Sequence, residues 1–230
     1  MSGRNRFEPR FEELPDILPV FPLAGVLLLP GGKLPLNIFE PRYLNMVSDA
    51  LAGPRLIGMI QPKLSRGEAG LGDFNPPLYA MGCAGRITSF AETEDGRYMI
   101  TLTGLCRFRT IGELSPRDGY RRVTPDWGPY RADMIEPRER VAEEIDRARL
   151  LKAIRAYFRV KEIKTDWEAV EGSETVHLVN TLAMSCPFDP PEKQALLEAE
   201  DFRHRAEIAI ALLEMGAAET EDDETPFRRQ

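Results

Sequence analysis

Few residues of this chain could do covalent chemistry, and they are widely spaced. The two histidines are His177 and His204. Ser173 precedes His177 by one helical turn, which lets a nucleophile and a base meet but supplies no orienting carboxylate and no oxyanion hole. Lys63 and Ser65 are also close, in a stretch with no apolar burial to lower the pKa of the lysine. We therefore predict no catalytic residues and no enzymatic activity.

The sequence also predicts no cofactor. Gly31-Gly32-Lys33 resembles the end of a phosphate-binding loop, but that pattern needs a glycine five positions before the second glycine and a hydroxyl residue after the lysine. Leu27 and Leu34 stand at those positions. Neither histidine has the HExxH or CxxC companions of a zinc site, so no metal is expected.

Composition favours an ordinary globular protein of the cytoplasm. Cys83, Cys106 and Cys186 lie far apart, and an odd number without CxxC spacing is typical of buried free thiols. The 230 residues are 43% hydrophobic and 29% charged, as in most soluble domains. There is no apolar secretory signal at the N-terminus and no apolar run near the ~20 residues that span a bilayer. We therefore expect a cytoplasmic location and no membrane partner.

The first half of the chain must provide the scaffold, and its patterns are mostly those of strands. Val26–Leu29 and Leu34–Phe39 are short apolar runs, and Pro30-Gly31-Gly32 between them suits a type II turn. A helix is predicted to begin at Pro41 and to end at Gly53-Pro54. Further strands are expected at 56–61 and 120–127, and 62–77 is expected to be an extended loop.

The clearest element is a β-hairpin. Tyr79–Ala91 and Arg97–Ile111 are strand patterns joined across Glu94-Asp95-Gly96, a strong hairpin signal. Apolar and polar residues alternate along the second strand, which predicts one buried face and one wet face. Glycines inside these strands, Gly82 and Gly104 among them, suggest bends or close backbone approach, as a sheet curling toward a barrel requires.

Helical spacing follows Gly128-Pro129. We predict a long helix over 141–158, a second from Ser173, a third capped by Asp189 and a fourth capped by Asp201. Gly216 is a plausible end of the last helix. The predicted organisation is a leader (1–13), a β-rich part (14–130), a helical lobe (131–216) and a disordered acidic tail (217–230).

These segments together resemble the Lon N-terminal (substrate-binding) domain, in the form of short proteins without the ATPase. The likeness rests on P-L-x-x-V-x-L-x-P-G-x-x-L-P-L-x-I-F-E-P-R-Y at 22–43, on the hairpin with its glycines, and on Leu178-Val179-Asn180, Lys193-Gln194 and Arg205. It covers roughly residues 14–216. It implies an α+β fold, with an N-terminal PUA-like, partly closed β-barrel carrying one helix and a C-terminal α-helical lobe.

The resemblance also implies a function and partners. The expected role is a non-catalytic protein- or peptide-binding module that selects or presents unfolded or degron-bearing polypeptides for proteolysis or quality control. Extended segments are expected to bind in a groove between the β-domain and the helical lobe, against an open sheet edge. A separate ATP-dependent protease is an expected partner, because the Ser–Lys peptidase domain of full-length Lon proteases is not expected here.

Candidate peptide-binding residues are apolar side chains on the face of the second hairpin strand that should be wet. They are Met99, Leu105 and Ile111. One interpretation is that the helix after Pro41 or the C-terminal helices cover them. The other is an exposed patch, which on a soluble domain tends to mark a partner site, and methionine adapts well to varied partners.

The alternative function is RNA binding, since many PUA-type barrels bind RNA. The formal net charge of −7 and the pI near 5.1 argue against it, because nucleic-acid-binding surfaces are normally basic. No interleaving of Lys or Arg with aromatic residues is evident either. We therefore expect no nucleic-acid partner.

Overall fold

Six strands form one sheet in the first part of the chain. The computed structural model describes residues 9–63, 76–135 and 145–223, and the chain divides into two compact units, residues 1–136 and 137–230. The elements of the first unit are β1 (Leu18–Pro22), β2 (Lys33–Ile38), α1 (Pro41–Ala52), β3 (Leu56–Pro62), β4 (Leu78–Glu92), β5 (Tyr98–Arg117), β6 (Tyr120–Asp126) and α2 (Ala132–Ile135).

The sheet curls because β5 is long enough to pair with β2 and β4 along its first part and with β6 along its second part. The strand order is β2-β5-β4-β3-β1-β6, and β5 also pairs with β6. Its first part, residues 98–109, pairs with β4, and residues 109–117 pair with β6. Only β1 and β3 run parallel, and the remaining pairs are antiparallel. The result is the partly closed β-barrel that the sequence predicts.

Glycines allow this sheet to close around a packed interior. Phe108 is fully buried at its centre, and a Cβ at Gly82 would lie 2.6 Å from the Phe108 ring. At Gly104 a Cβ would lie 2.0 Å from the Leu29 carbonyl oxygen, and Gly31 N–H donates to the Gly104 carbonyl at 2.8 Å. The predicted close approach at these two glycines is confirmed.

The segment before β2 differs from the prediction. Val26–Leu29 is not a strand in the structure, although Leu27, Leu28 and Leu29 are buried. A short apolar run is equally compatible with a loop that packs into the core, so burial alone does not identify a strand. The type II turn is confirmed, since Gly31 has φ +81° and Gly32 N–H donates to the Leu29 carbonyl at 2.8 Å.

Helix α1 begins and ends where the sequence predicts. Pro41 lies in its first turn and Gly53 follows its last residue. The helix packs against the sheet through Tyr43, whose ring centroid lies 4.2 Å from that of Phe21. The Tyr120 hydroxyl on β6 donates to the Asp49 carboxylate of α1 at 2.7 Å, fixing the other end of the helix.

The second unit is helical. Its elements are α3 (Arg147–Val160), α4 (Trp167–Gly172), α5 (Thr175–Ser185), α6 (Pro190–Glu198) and α7 (Phe202–Asp223). Asp189 and Glu192 form the predicted capping box of α6, and Asp201 accepts from the backbone of His204 in the first turn of α7. No helix among the described residues is both long and apolar enough to cross a bilayer.

The end of α7 corrects the sequence prediction. The helix does not stop at Gly216 but continues to Asp223, so residues 217–223 of the predicted disordered tail are helical. The reason is packing: a Cβ at Gly216 would lie 2.6 Å from the buried ring of Tyr157 on α3. This glycine permits close helix contact and does not supply the left-handed turn of a helix end.

Several predictions fall outside the described residues. They concern residues 1–8 of the leader, 64–75 of the predicted loop, 136–144 and 224–230. Within the leader, Phe11–Glu13 forms a short 3-10 helix, and Glu12 pairs with Arg131 at 2.6 Å. The predicted boundaries at residues 13 and 130 stay predictions.

Candidate functional site

Among the described residues, those with catalytic potential do not assemble into a reactive group. The Ser173 hydroxyl donates to the Ala169 carbonyl at 2.6 Å, so it is committed to the backbone and not to His177, which is exposed. Ser65 lies outside the described residues. Within those residues, no group of three or more His, Cys, Asp or Glu is placed to hold a metal ion.

The three cysteines are buried and none is in a disulfide, as predicted. Burial raises the pKa of Cys106 to about 12 and that of Cys186 to about 11. Both thiols are therefore protonated near neutral pH, and the reactive thiolate is scarce. They contribute to packing and do not form a nucleophilic site.

The structure does not join the predicted residues Met99, Leu105 and Ile111 into one patch. They are spaced six residues apart along β5, so about 20 Å separates neighbours and about 40 Å separates the first from the last in an extended strand. Met99 is 44% and Ile111 70% exposed. Leu105 packs instead against the core cluster that contains Phe108.

Two β-bulges explain this distribution. Ala84 pairs with Cys106 and Gly85 with Gly104, so Leu105 between them has no partner on β4. Ile111 likewise lies between two residues of β5 that pair with consecutive residues of β6. A bulge changes the direction of the side chain of its extra residue. Here Leu105 packs toward the core and Ile111 is exposed to solvent.

Exposed apolar side chains do cluster at one end of the sheet, where β2, β5 and β4 lie side by side. Met99 pairs with Asn37 of β2 on one side and with Ala91 of β4 on the other. Phe39, directly after β2, is 62% exposed, and the Arg97 guanidinium lies 5.9 Å from its ring centroid. We call Phe39, Ala91 and Met99 the tip surface.

An aromatic pair lies on the opposite face of the same sheet end. The ring centroids of Phe90 and Tyr98 are 5.0 Å apart in an edge-on arrangement, and Phe90 is 39% exposed. Phe90 pairs with the buried Ile100, which places it on the inner face of the strands. Apolar side chains therefore reach solvent on both faces of this end.

The tip surface adjoins an open strand edge. Among the described residues, β2 pairs with β5 alone. Pro35 interrupts this edge, because it has no N–H and prolines within strands lie where that group would face away from the neighbouring strand. The edge therefore offers only a short row of backbone groups near Asn37 for an added chain.

Met99 is named as a candidate in the sequence analysis, and Phe39 is not. Phe39 is the last residue of the apolar run Leu34–Phe39, so the sequence pattern assigns it to the strand. The sequence signal that could have placed Phe39 outside the strand was Glu40-Pro41. Pro41 starts the helix, so Phe39, two positions earlier, lies beyond the last strand pair, Ile38 with Tyr98.

Comparison with known proteins establishes the family. The family model of the ATP-dependent protease La (LON) substrate-binding domain matches residues 17–215. The chain belongs to this family. The Lon relatives are much longer: Lon protease 2 of Myxococcus xanthus is 28% identical over 210 residues, covering 88% of this chain and 24% of that protein.

The Lon protease of Escherichia coli is 23% identical over 203 residues, which cover 86% of this chain and 24% of that protein. The chain thus spans about a quarter of the length of the curated relatives it matches.

Solved structures of Lon N-terminal domains share the fold. A Lon N-terminal domain protein from Xanthomonas campestris has a TM-score of 0.56 and 24% identity, over 85% of this chain and 97% of that chain. The N-terminal domain of the Mycobacterium avium complex Lon protease has a TM-score of 0.58 and 17% identity, over 86% of this chain and 97% of that one. At these identities the likeness establishes the fold alone.

The polar residues of the C-terminal Lon resemblance have structural roles. Asn180, Lys193, Gln194 and Arg205 are all buried. The Arg205 guanidinium donates to the Leu196 carbonyl at 2.9 Å, near the end of α6, and Gln194 donates to Glu198 at 2.7 Å. Arg205 therefore joins α7 to α6, whereas Gln194 contacts Glu198 within α6. The tip surface is the better candidate for binding.

Proposed function

We propose that this Lon-family chain binds unfolded or extended polypeptides at the tip surface, without altering them, and presents them for proteolysis or quality control. The observation that carries the proposal is the exposure of Phe39 and Met99 beside an open strand edge. Large apolar side chains grouped on the surface of a soluble domain tend to mark partner sites. The family, a substrate-binding domain, favours the same role.

The physical mechanism combines apolar contact with a few backbone hydrogen bonds. Burying a large apolar side chain contributes about 1.5–3 kcal/mol, and Met99 can repack against different partners. The edge of β2 adds main-chain hydrogen bonds only near Asn37, because Pro35 ends the row. We therefore expect modest affinity, on the order of micromolar, unless several sites act together.

The proposed partner is an ATP-dependent protease that receives the bound polypeptide. The family description and the names of the relatives refer to such proteases. A protease partner that acts on this chain's clients in trans, a cytoplasmic location and the absence of nucleic-acid and membrane partners stay predictions from the sequence and its resemblance.

The test is binding of a permanently unfolded protein, reduced and blocked with neutral carbamidomethyl groups so that no charge is added. We expect Phe39→Ser and Met99→Ser each to weaken binding about tenfold, since each removes roughly one buried apolar side chain. The measurement is fluorescence anisotropy of the labelled unfolded protein, with circular dichroism to verify folding.

Two matched substitutions provide the controls. Met215→Ser removes an equally apolar side chain, 57% exposed, from the helical unit. Ile111→Ser removes the exposed residue at the far end of β5. Both should bind as the unchanged protein does. Equal losses in all four variants, or loss only with Ile111→Ser, would exclude the tip surface. Tighter binding of single-stranded RNA than of unfolded protein would favour the alternative function.

A further inference from the structure

The helical unit contains a cleft that combines two arginines with apolar side chains. It has a volume of about 400 Å³ and is lined by Arg155, Phe158, Arg159, Ile163 and Trp167. Phe158 and Trp167 form its aromatic part, with ring centroids 6.1 Å apart. Their half-buried rings leave apolar surface beside charged groups.

The cleft is a built feature, because several contacts fix its walls. Glu162, in the left-handed region at φ +52°, turns the chain at the end of α3, and Ile163 N–H donates to the Phe158 carbonyl at 2.9 Å. On the other wall, Asp166 caps α4 directly before Trp167. Arg147 donates to the Glu171 carbonyl at 2.7 Å and so holds α4 against α3.

The two arginines of the cleft differ in the contacts that their guanidinium groups make within the chain. Arg155 lies over the Trp167 ring, 5.6 Å from its centroid, and pairs with Glu171. Arg159 is exposed, and its side chain pairs with no carboxylate in the part of the chain that the structure describes. An uncommitted guanidinium beside an apolar surface favours a ligand that carries both a carboxylate and an apolar group.

We infer that this cleft binds a polypeptide segment in which an acidic side chain stands next to a bulky apolar one. The carboxylate accepts hydrogen bonds from Arg159, and the apolar side chain packs on Phe158, Ile163 and Trp167. Both parts of the ligand are thereby matched, the first by charge and the second by burial. The site is separate from the tip surface and does not depend on it.

The surroundings of the cleft favour such a segment over a nucleic acid. The exposed charges close to it in sequence are mixed, with carboxylates at Glu162, Asp166 and Glu168 among the lysines Lys161 and Lys164. A phosphate backbone places negative charge at every nucleotide and would meet these carboxylates, whereas an isolated acidic side chain needs one guanidinium. The ligand is therefore a peptide with single acidic residues, and RNA is an outcome that the test distinguishes.

The experiment uses the full chain and a labelled octapeptide, acetylated and amidated, with one glutamate between leucine and phenylalanine. Binding is measured by fluorescence anisotropy at low ionic strength. We expect Arg159→Glu to weaken binding by at least about tenfold, the effect of losing a charge-assisted hydrogen bond. The same peptide with glutamine in place of glutamate should bind as weakly to the unchanged protein.

The matched control is Arg203→Glu, the same charge change at the start of α7, where Arg203 pairs with Glu207. It should not affect binding, and neither should Phe39→Ser at the tip surface. Trp167→Ser should weaken binding through the apolar part. The inference is overturned if the peptide does not bind, if Arg159→Glu and Arg203→Glu lose binding equally, or if a single-stranded RNA displaces the peptide at lower concentration than the peptide binds.

Discussion

Arg107 and Asp133 form an ion pair that is almost withdrawn from solvent. Their side chains are 8% and 10% exposed. The Asp133 carboxylate accepts from the guanidinium Nη2 and from the Arg107 backbone N–H, both at 2.9 Å. The pair ties α2 to β5, and the guanidinium also lies 5.2 Å from the Tyr130 ring centroid.

Removing one partner of this buried pair should lower the free energy of unfolding much more than removing one partner of an exposed pair. Asp133→Ala leaves a buried guanidinium without its carboxylate, and we expect the free energy of unfolding to fall by about 3–5 kcal/mol. Urea denaturation followed by circular dichroism measures this. Asp95→Ala is the matched control, because the Arg97–Asp95 pair is 49% and 57% exposed and should contribute under about 1 kcal/mol. Equal effects would contradict the assigned role of burial.

The buried thiols predict a fall in stability at alkaline pH. Because the pKa of Cys106 is raised to about 12, the folded chain keeps this proton after the unfolded chain, with a thiol pKa of about 8.5, has lost it. The contribution is complete below about pH 8.5 and is lost as the pH rises toward 12. The free energy of unfolding should fall between pH 8 and pH 10, and this fall should be about 1–2 kcal/mol smaller in Cys106→Ala than in the unchanged protein. Urea denaturation at the two pH values measures both. An identical fall in both proteins would contradict the shift.

Among the elements, those with a strong local signal were predictable and those set by packing were not. The hairpin of β4 and β5, helix α1 and the capping box of α6 follow from alternation, Pro41 and the Asp189–Glu192 spacing. The bulges at Leu105 and Ile111 have no local signal, because they arise from how β5 meets β4 and β6 together. The exposure of Leu105 and Ile111 depends on those bulges, so the sequence could not decide it.

The contact between α7 and α3 predicts that a small enlargement is destabilising. Gly216→Ala should gain up to about 1 kcal/mol of helix propensity but lose about 1–3 kcal/mol by overpacking against Tyr157. We expect a net loss of stability, measured by thermal or urea unfolding. The ring is 2% exposed and has little room to move aside.

Gly172→Ala controls for this substitution, because no atom lies within 4 Å of a Cβ at Gly172. That variant should be neutral or slightly more stable. Replacing Tyr157 by leucine should reduce the cost of Gly216→Ala, since the two substitutions share one contact. A stabilising Gly216→Ala would contradict the close contact between α7 and the Tyr157 ring.

At the scale of the whole molecule, the net charge does not show how charge is distributed locally. The net charge of −7 argued against a nucleic-acid partner, but it does not show where charge is concentrated, and α3 carries five Arg or Lys and no acidic residue. Helical spacing brings Arg155, Phe158 and Arg159 to one cleft, although they are not adjacent as a motif. The family and the fold were predictable because they rest on many segments in order, whereas each binding surface depends on contacts between distant segments.

The two proposed binding surfaces differ in their chemistry. The β-rich unit offers the apolar tip surface beside an edge strand, and the helical unit offers a cleft for acidic and apolar side chains together. Both could serve a substrate-binding domain, but only the first carries the proposed function.

Site-specific photo-crosslinking at Phe39 tests that function most directly. A photoreactive phenylalanine analogue at position 39 keeps an aromatic ring where Phe39 is 62% exposed, and the same analogue at Met215, 57% exposed, is the control. The client is the labelled, carbamidomethylated unfolded protein. We expect strong crosslinks to it from position 39, which an excess of unlabelled client should reduce, and few from position 215. Equal crosslinking from both positions, or none from position 39 while the client is bound, would contradict binding at the tip surface.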